Sequence, residues 1–301
     1  MNMLAGALSG CTAVTISNPF DHAKVRLQLQ GELMKKGNYE VFFKNSFDCI
    51  YKIAKYEGLR VVQKGLFAAY GYHILMNGSR LGTYETVKNL IQRHTSFKQN
   101  TSSLNLVIGL ITGFFAGTIS IPFQIIKVRL QSDHPHQQGA RHNYKGVIDA
   151  FRKILAKEGI KGLTHGVTIW PFALALASGV QLTTYDFYKH ELIDNFGFSN
   201  TYTTHMICAA TAGFTVPLVC NPMDTVATRL LNQKWEKGHG ATYNGIIDCL
   251  VKTARSEGFT GLYKGTTGYL SRQVPHGLVT LVAFEFYKRK VRQVFSPKME
   301  I

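Results

Sequence analysis

Six stretches of the chain combine apolar residues with small ones, and more polar segments separate them. Each stretch exceeds the roughly 20 residues that a helix needs to cross a hydrocarbon core of about 30 Å. Gly, Ser, Thr and occasional charged residues interrupt every stretch, as expected where one helix face meets lipid and another lines a wet cavity. The pattern predicts six transmembrane helices, over residues 3–28, 64–92, 104–131, 165–191, 203–231 and 265–290.

A shorter amphipathic segment lies between the two helices of each pair. In the first pair its apolar residues recur at helical spacing: Phe47, Ile50, Tyr51 and Ile53. Each segment ends at a Glu-Gly step, and glycine commonly ends a helix. We expect three short helices in the plane of the membrane interface. Because the segments that contain them are rich in Lys and Arg, the positive-inside rule predicts that they face the negative, matrix-like side of the membrane and that both termini lie on the opposite side.

Three signatures recur in the same order about every one hundred residues, which indicates three tandem repeats. The first begins at Pro19, Pro122 and Pro222; the second is Glu57-Gly58 with Lys64-Gly65, Glu158-Gly159 with His165-Gly166, and Glu257-Gly258 with Lys264-Gly265. The third covers residues 84–88, 185–189 and 284–288. We therefore divide the chain into repeats 1–98, 99–197 and 198–301, which together form one integral domain.

The charge balance, Lys+Arg 34 against Asp+Glu 18, favours an anionic partner. Nucleic acid is not that partner, because the cations alternate with apolar stretches and form no single stripe. The sequence contains no phosphate-binding loop, no nucleophile elbow and no metal-ligand spacing, so it predicts neither an enzyme nor a metal site. A soluble helical array is also disfavoured, because its repeats usually span 20–50 residues.

The three signatures resemble those of the mitochondrial carrier family, P-x-[DE]-x-x-[KR]-x-[KR] followed by E-G, K-G and [FY]-[DE]-x-x-[RK], over essentially the whole chain. The resemblance implies an all-α inner-membrane protein, six tilted helices around a pseudo-threefold axis, working as a monomer. It also implies a central anion site that opens alternately to each side. Cardiolipin is the expected structural lipid, held near the K-G and Y-x-G turns; no other cofactor is expected.

Each proline of the first signature is expected to kink its helix, because it lacks an amide hydrogen and clashes with the preceding turn. In the family the acid of one such helix pairs with the base of the next, which predicts the pairs Asp21–Lys127 and Asp224–Lys24 at a matrix gate. The third pair would be Gln124 with Ala227, where the acid and the base are both missing. Because the acid and the base are lost together, no charged side chain is left buried without its partner.

The other gate is predicted to keep all three acids and all three bases of its signature. This cytoplasmic gate would consist of Glu85, Lys88, Asp186, Lys189, Glu285 and Lys288. By this count it is stronger than the matrix gate by one ion pair.

The substrate site is expected about a dozen residues before those acids, some 18 Å deeper at 1.5 Å per residue. Arg272 is the leading anion contact, because a permanent charge at membrane mid-depth is costly to keep. Further candidates are Tyr72, Asn77, Arg80, Gln181 and His276. For Asn77 and Gln181, hydrogen bonding between helices is an equally good interpretation.

Segments 26–33, 76–84 and 228–233, among others, resemble the corresponding segments of the oxaloacetate carrier group of that family. This resemblance implies transport of small carboxylates, with sulfate or malonate as further substrates. The implied mode of transport is exchange or proton symport. Ala173 departs from that group, which has an arginine there, and favours a smaller or less charged anion. A proton-leak carrier is the alternative function. A peroxisomal rather than mitochondrial address also stays open.

Overall fold

The structure is a computed structural model, and it describes residues 2–35, 41–94, 102–134, 142–199, 201–236 and 239–295. Six long helices account for most of these residues. They are α1 (Asn2–Leu29), α4 (Leu66–His94), α5 (Ser102–Ser132), α8 (Trp170–His190), α9 (Tyr202–Asn232) and α11 (Thr266–Phe295). Short helices α2 (Ser46–Lys52), α3 (Leu59–Val62), α6 (Val147–Glu158), α7 (Lys161–Thr164) and α10 (Ile246–Glu257) lie between them, and a two-residue hairpin pairs β1 (Trp235–Glu236) with β2 (His239–Gly240).

The six long helices form a closed ring in the order α1, α4, α5, α8, α9, α11, because each contacts the next and α11 returns to α1. The odd members α1, α5 and α9 also contact one another, so their C-terminal halves meet inside the ring. We call the end of the ring that carries α2, α6 and α10 the loop end, and the end with Asn2 and Phe295 the terminus end. Glycine permits the close approach of α11 to α1, because a Cβ on Gly268 would lie 2.7 Å from the Cα of Lys24.

The three amphipathic segments fold as helices that end where their glycines predict. Gly58, Gly159 and Gly258 follow them with φ of 99°, 69° and 76°, in the left-handed region that favours glycine. In the first repeat the helix is α2 continued by a π-helical turn, Ile53–Glu57.

An aspartate in the first turn of each amphipathic helix accepts the amide hydrogen of the residue four before it. The bonds are Lys44 N to Asp48, Lys145 N to Asp149 and Asn244 N to Asp248, each 2.9 Å. A lysine one turn later pairs with the same carboxylate. The hydrogen bonds from Lys153 and from the Lys145 amide hold the pKa of Asp149 below its usual range.

The fourth long helix begins later than the sequence predicted. Residues 165–168 form a 3₁₀ turn, and α8 starts at Trp170 with Pro171 in its first turn, a position where proline's missing amide costs nothing. The predicted span from residue 165 is therefore too long by one turn.

Pro19, Pro122 and Pro222 each lie inside an uninterrupted helix. Two further prolines lie inside long helices, Pro217 in α9 and Pro275 in α11. The kinks at the three signature prolines stay a prediction. Within the described residues, two helical segments are long and apolar enough to cross a membrane: Ile111–Ser132 at mean hydropathy 1.4 and Lys161–Asn195 at 1.3.

Candidate functional site

A cavity of about 240 Å³ lies inside the ring and is lined by side chains from all six long helices. Arg272, Tyr72, Asn77 and His276, four of the predicted binding residues, are among its lining residues. The helices place them there by register, because Tyr269, Arg272, His276 and Thr280 follow one face of α11 at steps of three and four. On α4, α8 and α11, the second, fourth and sixth helices of the ring, the described lining residues therefore include the cation Arg272 together with aromatic, amide and imidazole side chains.

Neighbouring side chains fix the orientation of these lining residues. Trp170 donates its indole N–H to the Tyr72 hydroxyl at 3.3 Å, and the His73 and His276 rings lie 5.4 Å apart. The Nδ1 atom of His276 is 3.0 Å from the Ser17 hydroxyl. Asn77 donates to the carbonyl of Gly6 at 3.3 Å, so one of its amide hydrogens is used between helices.

Of the two other binding candidates, Gln181 is not among the lining residues. Gln181 is exposed and lies one helical turn beyond Ala177, a lining residue, on the same face of α8. Arg80 stands one turn beyond Asn77 on α4, but its side chain lies outside the described residues. Ala173, where an arginine was expected, lines the cavity.

The loop end of the cavity is closed by ion pairs between the odd helices. Lys127 Nζ lies 2.8 Å from Asp21 Oδ2, and Lys24 Nζ lies 2.9 Å from Asp224 Oδ2. The third position holds Gln124 and Ala227, both buried. We call these three positions the inner ring. The structure thus pairs the residues that the carrier signature predicts as partners.

The two ion pairs of the inner ring differ in their hydrogen bonding. Asp224 accepts from Lys24 at 3.0 Å and from Gln28 Nε2 at 2.7 Å, so both its oxygens are used. Asp21 lies close to Lys127, yet its Oδ2 makes no hydrogen bond of good geometry. Its Oδ1 instead lies 3.0 Å from Nε of Arg272.

The loss at the third position extends one turn further along α9. Gln28 and Gln131 stand four residues after Lys24 and Lys127, whereas Leu231 stands four after Ala227 and packs in the apolar core. Gln124 is buried with its Oε1 unpartnered, facing the cavity. The base and the glutamine below it are therefore both replaced by apolar residues on α9.

Sequence reasoning missed a second set of charges at the loop end. Arg26, Arg129 and Arg229 each pair with the glutamate of the Glu-Gly step in their own repeat: Glu57, Glu158 and Glu257. We call these three pairs the outer ring. The signal was present, because the arginine and glutamate recur together in all three repeats, but the two are some thirty residues apart in the sequence.

Each outer-ring arginine also joins its repeat to the next. Its Nε donates to a backbone carbonyl on the following odd helix: Arg26 to Gln131, Arg129 to Leu231 and Arg229 to Gln28, at 3.2, 3.3 and 3.4 Å. The order of these bonds closes a circle. Although burial acts in the opposite direction, the hydrogen bonds from Arg229 hold the pKa of Glu257 below its usual range.

The terminus end is not closed by comparable pairs in the part of the chain that the structure describes. Asp186, Glu285 and Lys288 are exposed, Lys189 is half-buried, and no ion pair joins any two of these four side chains. The side chains of Glu85 and Lys88 lie outside the described residues. The cavity is thus sealed by the inner ring at the loop end.

A ring of helices in three repeats, around a cationic cavity with ion pairs at one end, is the architecture of a membrane carrier. The family described as mitochondrial carrier protein matches the chain over residues 1–95, 98–196 and 198–295. The chain belongs to this family, whose members are transporters and not enzymes.

Among its relatives are transporters named for carboxylates. The chain is 34% identical over 294 residues to the mitochondrial citrate transporter E of Aspergillus niger, covering 97% of this chain and 93% of that protein. It is 35% identical over 301 residues to the mitochondrial oxaloacetate transport protein of Saccharomyces cerevisiae, covering 98% and 90%. The protein of the same name in Schizosaccharomyces pombe is 36% identical over 288 residues, covering 94% and 88%.

Proposed function

We propose that the chain carries small carboxylate anions across the mitochondrial inner membrane by alternating access, as a monomer with six membrane-spanning helices. The observation that carries the proposal is the position of Arg272 on the wall of a central cavity whose loop end is closed by two ion pairs. An arginine so placed is a permanent cation with a planar fork that suits a carboxylate. The names of the citrate and oxaloacetate relatives agree with this class of substrate.

In this proposal the structure corresponds to the state closed toward the matrix. The inner ring forms the matrix gate, and the exposed charges at the terminus end form the cytoplasmic gate when the molecule changes state. Both termini then lie on the intermembrane-space side. Substrate promotes the change because the protein binds it more tightly in the transition state between the two conformations than in either conformation.

The walls of the cavity favour a compact anion. Arg272 is the one cation among the described lining residues that belongs to neither ring, and Ala173, another lining residue, provides no second guanidinium. A cavity of about 240 Å³ suits oxaloacetate or malonate better than a long-chain acid. We propose these two as substrates, with exchange or proton symport as the mode of coupling, and cardiolipin as a structural lipid at the Lys64-Gly65 and Lys264-Gly265 turns.

The test is uptake of labelled oxaloacetate, malonate, citrate and sulfate into liposomes that contain the purified protein, alongside proton conductance. The variant Arg272→Ala is expected to lower carboxylate uptake at least tenfold while leaving the protein folded, since it removes the anion's main contact. Arg152→Ala, an exposed arginine on α6, is the matched control. Normal uptake by Arg272→Ala would refute the site, and proton conductance without anion uptake would favour a proton-leak carrier instead.

A further inference from the structure

Asp21 lies between two cations that belong to different parts of the molecule. Its Oδ1 is 3.0 Å from Arg272 of α11, and its Oδ2 is 2.8 Å from Lys127 of α5. All three side chains line the central cavity, and Asp21 is 2% exposed. One carboxylate therefore serves the residue proposed to bind substrate and the residue that closes the inner ring.

The charges in this cluster do not balance. Arg272 and Lys127 contribute two positive charges and Asp21 one negative charge, so the cluster attracts a further anion. The Lys24–Asp224 pair, in contrast, is balanced and is braced by Gln28. Of the two ion pairs in the inner ring, Asp21–Lys127 is thus the one that has an excess positive charge beside it.

Hydrogen-bond geometry also indicates that the contacts of Asp21 are weaker than those of Asp224. Asp21 Oδ2 and Arg272 Nε are buried close to opposite charges, yet neither makes a well-aligned hydrogen bond. Misaligned charge-assisted contacts gain less than aligned ones. An incoming carboxylate has therefore less to displace at Asp21 than at Asp224, where both oxygens are already hydrogen-bonded.

We propose that Asp21 is a positioning residue that occupies Arg272 and Lys127 while the cavity is empty and yields them to the anionic group of the substrate. The inference rests on the proposed function, since it assumes a carboxylate bound at Arg272. Once that carboxylate is present, it repels Asp21, and Arg272 and Lys127 can each pair with the substrate in place of Asp21. Substrate binding therefore weakens Asp21–Lys127 first and leaves Lys24–Asp224 as the last ion pair to open.

The first experiment compares Asp21→Asn with Asp224→Asn. Each variant removes one acid from the inner ring, breaks one ion pair and adds one positive charge to the cavity, so general electrostatics act equally on both. Only Asp21→Asn also frees Arg272. We expect the dissociation constant for oxaloacetate, measured by calorimetry on purified protein, to fall at least tenfold in Asp21→Asn and no more than threefold in Asp224→Asn.

A second comparison keeps the total charge constant and guards against loss of folding in the single variants. The double variant Asp21→Lys/Lys127→Asp reverses one ion pair and places a cation, in place of an acid, beside Arg272. Lys24→Asp/Asp224→Lys reverses the other pair and leaves Asp21 beside Arg272. We expect the first reversal to raise oxaloacetate affinity at least fivefold more than the second.

Transport kinetics give a readout that a purely structural role would not move. In Asp21→Asn the KM for oxaloacetate uptake is expected to fall together with the maximal rate, because the freed Arg272 and Lys127 hold the bound anion more tightly and so slow its release. Equal changes in affinity for Asp21→Asn and Asp224→Asn, together with equal changes for the two reversals, would overturn the inference while leaving the proposed function in place. If the unaltered protein binds no carboxylate at all, the proposed function fails, and the inference fails with it.

Discussion

The inner and outer rings lie at the same end of the molecule and are built from the same helices, yet they are built differently. The outer ring pairs residues within a repeat, is complete in all three repeats, and has arginine as its cation. The inner ring pairs residues between repeats, keeps two of three pairs, and has lysine as its cation.

The hydrogen bonding of the two rings follows this division. Arg129, for example, contacts both oxygens of Glu158, at 2.6 and 2.8 Å, and also donates to the carbonyls of Leu231 and Gln233. Among the described residues, Lys127 has one carboxylate neighbour within ion-pair distance, Asp21, which it shares with Arg272. A guanidinium that uses its whole fork is costly to separate, whereas a lysine with one shared partner is not.

The comparison indicates which contacts persist through transport and which break. The Arg–Glu pairs of the outer ring fix each amphipathic helix to the odd helix of its own repeat, so these pairs stay intact when the repeat moves as a unit. The inner ring joins the repeats across the axis, so it must open whenever the cavity opens at the loop end. Variants in the two rings should therefore affect different measurements.

The largest effect is expected from breaking the outer ring. Arg129→Ala leaves Glu158 buried without its guanidinium, which should lower the free energy of unfolding by about 3–5 kcal/mol. Thermal unfolding of the purified protein measures this loss. Lys153→Ala, which removes a half-exposed pair with Asp149 on the same repeat, is the matched control and should cost no more than about 1 kcal/mol. Equal losses in the two variants would mean that the outer ring is not a structural element.

The next effect is expected from restoring the missing pair of the inner ring. Gln124→Glu with Ala227→Lys places an acid and a base where α5 meets α9, so three ion pairs must break before the loop end opens. Uptake should slow by about tenfold, which corresponds to about 1.4 kcal/mol added to the barrier. Liposome uptake measures the rate, and thermal unfolding of the same sample should show no loss of stability.

A control variant separates the restored pair from the added acid. Gln124→Glu alone buries a carboxylate without a partner, so it should lower stability as well as uptake. If the double variant transports at the normal rate, the number of inner-ring pairs does not control opening.

Much of this arrangement follows from local sequence rules. The three repeats and the helix ends at Gly58, Gly159 and Gly258 depend on short motifs with fixed spacing, whereas the pairing of Asp21 with Lys127 was predicted only from the resemblance to the carrier family. The matched losses at Gln124 and Ala227 were also visible in the sequence, because a charge without its partner would have been costly. Such features are predictable since each is decided within one or two turns of helix, or by comparison of equivalent positions.

Other features depend on distances that no motif specifies. The contact of Asp21 with Arg272 joins residues 251 positions apart, which become neighbours only because α11 closes the ring against α1. The pairing of Arg129 with Glu158 requires α6 to fold back on α5. Gln181 was named as a further contact on the fourth long helix; it lies on the same face as Ala177 but one turn beyond it, and it is not among the residues that line the cavity. Position along the axis, and not the choice of face, was what the sequence left undecided.

The smallest effect concerns a histidine at the edge of the outer ring. The ring of His142 stacks on Tyr144, its Nε2 donates to the Asn232 carbonyl at 3.0 Å, and burial lowers its pKa from 6.5 to about 4. Between these values the unfolded chain binds a proton that the folded chain does not, so stability falls as the pH drops below about 6.5. The contribution lost by pH 5 should be about 1 kcal/mol once solvent screening is allowed for.

Thermal unfolding of the protein and of His142→Gln at pH 7 and pH 5 measures this contribution. The glutamine keeps a donor for the Asn232 carbonyl and has no proton to gain, so its stability should fall by less over the same interval. Because the glutamine keeps the hydrogen bond to the Asn232 carbonyl, uptake measured at constant pH should change little in this variant. A loss of uptake comparable to that of Gln124→Glu/Ala227→Lys would instead place this edge of the outer ring among the contacts that break during transport.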